Sequence, residues 1–166
     1  MRIKDIVITG MLGAILFLFQ LGLAFLPNIE LVSILIIVYT IVMKKKTIFI
    51  ITVFVLLEGI FYGFSTWWIN YLYIWFVLYL ITQLFQKERS PLLWALISGA
   101  YGLSFGALCS VPYFFMGGYQ TAFAYWISGI PFDITHGIAN FCIALILFKP
   151  FHTLMDYLHD SYYHAG

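Results

Sequence analysis

Asp133, His136 and Asn140 fall at i, i+3 and i+7 within the otherwise apolar stretch 128–149, so a helix there carries all three on one face. A carboxylate, an imidazole and an amide so placed can hydrogen-bond a bound molecule, pair with another helix or, together with Glu58, exchange protons as acid and base. Lipid is excluded as the partner. An ionisable group facing hydrocarbon costs about 2.5–3.5 kcal/mol on insertion scales, so such side chains turn toward a bundle interior or a wet cavity. A helix start at Pro131 puts Asp133 in the first turn, where the dipole favours a carboxylate, but that accounts for Asp133 alone. Glu58 makes the same demand in a second apolar stretch, with Tyr62 and Ser65 at i+4 and i+7. It is either a structural carboxylate tied to Tyr or His of another helix, or a pocket residue that accepts hydrogen bonds from a substrate.

Two further groups belong with these. Glu30 either follows an Asn28 N-cap or stands with Asn28 on the floor of an indentation. Trp67, Trp68, Asn70 and Tyr71 cluster beside Tyr73, which reads as an interfacial aromatic belt or as a stacking platform for a flat organic molecule. Tyr113 opens a second aromatic segment, Tyr113 to Gly129. The small pair Gly10 and Ala14 permits close helix approach, either within the chain or to another membrane protein, and Gly99, Gly102 and Gly106 form a stripe suited to internal packing.

These side chains need a scaffold, and the composition says which kind. The chain is 63% apolar and 9% charged over 166 residues, with a mean hydropathy of +0.99. An ordinary soluble domain is excluded, and an all-α, polytopic membrane bundle is expected. Six transmembrane helices are expected at Ile6 to Leu26, Glu30 to Met43, Thr47 to Phe64, Trp67 to Gln86, Leu92 to about Pro112, and Pro131 to Phe148. Residues 1–149 form the membrane domain, and residues 150–166 an interfacial cytoplasmic tail whose His152, Asp156 and His159 read as a solvated face. The first apolar run is read as a retained helix, since it lacks a convincing cleavage site.

Arg2, Lys4, Lys44 to Lys46, Lys87, Arg89 and Lys149 all fall on one side of such a path. The positive-inside rule makes that side, with both termini, cytoplasmic. The second helix is short for a span, about 21 Å at 1.5 Å per residue against about 30 Å of hydrocarbon, so its outer end is expected to be sunken. Cys109 and Cys142 lie in apolar runs and read as packing residues. No P-loop, H-E-x-x-H or G-x-S-x-G sequence is present, no metal or cofactor is expected, and there is no basic face for nucleic acid.

Three phrases, LPNIELVSILIIVYT (26–40), LLEGIFYGFSTWWINYLYIW (56–75) and GIPFDITHGIANF (129–141), together with the small-xxx-small pair in the first helix, resemble the substrate-binding S components of energy-coupling factor (ECF) vitamin transporters. The resemblance covers nearly the whole chain. It implies a bacterial plasma-membrane subunit that captures a vitamin or related micronutrient and carries out no chemistry on it. It also implies a transmembrane coupling subunit with two ATPases, as in other ABC transporters, onto which the first helix docks before cargo is released inward. The family's docking motif is Ala-x-x-x-Ala, and here Gly10 and Ala14 stand in its place. Three outer carboxylates, Glu30, Glu58 and Asp133, and no outer Lys or Arg argue against a strongly anionic cargo and favour a neutral or cationic, flat or amide-bearing one. Two other classes stay open: an intramembrane enzyme using Glu58, Asp133 and His136, and a non-binding assembly subunit.

Overall fold

A computed structural model describes residues 3–164, with side chains described to Tyr162; Arg2, from the basic set, lies outside them. All regular structure among the described residues is helical, with no strand. In order they form α1 (Ile3–Gly22), α2 (Val32–Met43), a 3-10 turn (Lys44–Lys46), α3 (Thr47–Tyr62), α4 (Thr66–Leu84), α5 (Pro91–Leu103), α6 (Phe105–Cys109) and α7 (Val111–His164). By length and composition, α1 and the stretch Val111–Tyr162 are long and apolar enough to cross a membrane, and Pro91–Leu103 is a shorter apolar helix. An all-helical chain of this kind is compatible with a helical membrane protein.

The core is organised on α2. Its sequence, VSILIIVYTIVM, has no polar face, and all twelve residues are buried, as expected of a helix that is apolar all round. Its few polar side chains bond locally: the Thr40 hydroxyl donates to the Ile36 carbonyl at 2.6 Å. Both α4 and α7 pack against α2, while α1 lies on α3 and α5 on α7.

The two ends of the bundle differ in chemistry. At one end, Lys44 takes a left-handed conformation (φ 53°), and Lys46 of the same turn pairs with Asp5 of α1 at 2.8 Å. Lys4 lies over the Tyr162 ring, 5.6 Å from its centre, so the start of α1 and the end of α7 meet there. Helix α5 begins nearby with Pro91 in its first turn, and the Ser90 hydroxyl accepts the Leu93 N–H. At the other end lie the α1–α2 connection and the α3–α4 turn.

The long last helix departs from expectation. A helix start is expected at Pro131 and a weakening at Pro112; instead Pro112 sits in the first turn of α7, and the helix runs on through Pro131 and Pro150. The backbone leaves helical geometry at Gly117 and Gly118 (φ 76° at Gly118). Proline is tolerated in a helix's first turn because its missing N–H has no intrahelical partner there. Further along α7, Gly99 and Gly102 of α5 let the two backbones touch. A Cβ on Gly102 would lie 2.9 Å from the Gly137 Cα and from the His136 carbonyl. The helix that bears His136 runs on to His164, through the stretch read as the tail.

Candidate functional site

A cavity of about 510 Å³ opens where the α1–α2 connection meets the ends of α3 and α4. That is within the range of pockets that take small organic molecules. Seven of the residues singled out in the sequence line it: Asn28, Glu30, Glu58, Tyr62, Trp67, Tyr71 and His136.

Each is held there for a local reason. Asn28 adopts φ 62°, a left-handed conformation that Asn tolerates better than most residues, and this turns the chain back toward α2. Glu30 lies before α2, and its own side chain caps it: Oε2 accepts the Ser33 N–H at 2.8 Å. The Asn28 cap considered from sequence does not form, since α2 has no side-chain bond from that position. Glu30 Oε1 meets His136 Nε2 at 3.3 Å, joining the start of α2 to the middle of α7. Trp67, Tyr71 and Trp75, one turn apart on α4, stand edge to face with ring centres 5.2 and 5.5 Å apart. The Gln20 amide donates to the Tyr71 hydroxyl at 3.4 Å, tying α1 to that ladder.

Glu58 differs from Glu30. It is 2% exposed, yet its Oε1 has no hydrogen-bond partner among the described residues. No Lys or Arg is among the described residues that line the cavity. A carboxylate held among aromatic rings without a counter-charge is an incomplete arrangement.

Five singled-out residues do not line the cavity. Trp68 turns away: its indole N–H donates to the Val55 carbonyl at 2.8 Å, and the side chain lies against Gly59. Asn70 is buried beside Tyr73, whose hydroxyl is 2.9 Å from Asn70 Oδ1 and donates to the Leu108 carbonyl at 2.6 Å. Tyr113 stacks on Tyr125 with ring centres 4.1 Å apart. The Asn140 amide donates to Ser33 Oγ at 3.2 Å.

Asp133 is not at a helix start, as expected, but inside α7. It still serves a helix N-terminus, that of another segment: its Oδ1 accepts the Gly106 N–H of α6 at 2.8 Å. A Cβ at Gly106 would collide with this carboxylate. Gly106→Ala is therefore expected to break a charge-assisted bond and lower stability by about 1.5–3 kcal/mol. Thermal unfolding in detergent checks this, and Asp133→Ala in the same chain should recover part of the loss.

The polar stripe thus divides. His136 goes to Glu30 and the cavity, Asp133 to the α5–α6 break and Asn140 to Ser33, so Glu58, Asp133 and His136 do not converge on one point. Residues not singled out also line the cavity: Gln20, Leu23 and Ala24 from α1 and its extension, Trp75 from α4, and Phe105. Two of these left a trace in the sequence. Gln20 is the only polar side chain between Thr9 and Asn28, and Trp75 repeats the i+4 step from Trp67 through Tyr71. Among the described residues no cluster of His, Cys, Asp or Glu is arranged to hold a metal ion. No protein family, curated protein or solved structure matches this chain.

Proposed function

We propose that this chain is the substrate-capture subunit of an ECF-type importer for a vitamin or related micronutrient. In this reading it crosses the bacterial plasma membrane six times, with both termini and the lysine end in the cytoplasm and the cavity open outward. The observation that carries the reading is the cavity itself, with Glu30, Glu58 and His136 beneath an aromatic wall and Glu58 short of a partner. A non-binding assembly subunit gives no reason for such a hollow. Proton-transfer catalysis by Glu58, Asp133 and His136 gives no reason for Asp133 to be spent on Gly106. Large exposed apolar side chains such as Met11, Ile60, Leu84 and Ile146 agree with a lipid surround.

Release inward requires partners in this reading: a transmembrane coupling subunit and two ATPases, since the chain has no phosphate-binding loop of its own. The test is native mass spectrometry of the chain purified gently from its own membranes. The expected result is a retained small molecule in stoichiometric amount and co-purifying ATPase subunits. A chain that comes away empty and alone, and whose thermal stability no micronutrient raises, would overturn the proposal.

A further inference from the structure

Resting on the capture reading, we infer that the cargo is a cationic, ring-bearing organic molecule whose positive nitrogen pairs with Glu58 inside the aromatic wall of the cavity. The carboxylates at the cavity have different needs. Glu30 is saturated, with Oε2 on the Ser33 N–H and Oε1 on His136. Glu58 is not: Oε1 is buried without a partner, and the lining supplies no Lys or Arg. A carboxylate short of a partner in this way is answered most fully by a positive N–H donor.

The walls fit the same visitor. Tyr62, Trp67, Tyr71 and Trp75 line the cavity along with Glu58, and indole and phenol faces attract a desolvated cation while stacking on a flat ring. An anion would meet two carboxylates and no Lys or Arg. A neutral ring without an N–H donor would stack equally well but leave Oε1 unanswered.

Three bicyclic probes of nearly equal size separate these cases: 4-aminoquinaldine, protonated at neutral pH and carrying N–H donors; quinaldine, neutral; and quinaldate, an anion. Binding is measured by calorimetry and thermal shift on the full chain in nanodiscs. The cation is expected to bind at least about 10-fold more tightly than quinaldine, with quinaldate weakest. Glu58→Gln keeps shape and volume, so the variant should fold with an unchanged or higher unfolding temperature yet lose the preference for the cation. Trp67→Ala should weaken the cation and quinaldine together. Binding of the three probes with equal affinity, preference for quinaldate, or a cation preference that survives Glu58→Gln would each overturn the inference while leaving capture intact. Failure of all three to bind would also overturn this inference, while capture stands or falls on the molecule retained by the purified chain.

Discussion

Glu30→Ala is expected to cost about 3 kcal/mol of stability, because one side chain satisfies two buried groups for which no second hydrogen-bond partner stands among the described residues. Its Oε2 takes the Ser33 N–H in the first turn of α2, and its Oε1 takes His136 from α7. Removing an N-terminal cap typically costs about 1 kcal/mol, and breaking a buried pair by deleting one member about 3–5 kcal/mol. The pair lines the cavity, so water can reach the stranded imidazole and pull the total toward the lower figure. The consequence exceeds a local loss, since α2 is the helix the others surround and its first turn is where it is anchored to α7. Thermal unfolding of the single variants and of Glu30→Ala with His136→Ala forms a double-mutant cycle. The double variant should cost clearly less than the two singles added. Strict additivity would mean that the 3.3 Å approach carries no coupling. Glu30→Gln, which keeps an acceptor for Ser33, should fall between wild type and Glu30→Ala.

What could be read from the residues beforehand, and what could not, follows from the range of each signal. Burial of Glu58 and His136 was legible because an ionisable group in an apolar helix has few tolerable destinations, and both line the cavity. So was the turn at the lysines, where apolar patterning stops abruptly. The partners of Asp133 and Asn140 were not legible. One is a backbone N–H at Gly106 and the other a serine 107 positions away, and neither leaves a mark near the residue it serves. Helix ends went wrong for a related reason. Proline reports a local steric preference, and α7 continues through Pro131 in spite of it. The Gly117–Gly118 step, by contrast, does interrupt the helix. Gln20 and Trp75 were within reach of spacing alone.

Leucine at both Gly10 and Ala14 is expected to abolish accumulation of substrate by cells while leaving substrate binding by the purified chain unchanged. Helix α1 presents small residues on two faces with different surroundings. Gly13 faces inward, where a Cβ would lie 2.7 Å from Val53 and 2.9 Å from the Ile50 carbonyl, so it is the residue that lets α1 lie on α3. Gly10 has nothing within 4 Å of where a Cβ would be. It shares its stripe with Ala14 and the exposed Ile6 and Leu18 (56% and 61%). Bulk at Gly13 should therefore destabilise the fold by about 1–3 kcal/mol or more, as overpacking does, and should lower binding and uptake together. A Cβ at Gly10 finds open space, so bulk on that stripe is expected to leave the fold and the cavity at the far end of the bundle in place. The change is felt only by whatever lies against that stripe. In the importer reading this is the coupling subunit, and close approach of its helices is what small residues permit. Binding calorimetry on the purified variants, beside uptake and pull-down of the coupling subunit from cells, separates the two faces. Full uptake in the Gly10→Leu, Ala14→Leu variant would place docking elsewhere. Loss of binding in step with uptake would mean that the stripe supports the cavity instead of a partner.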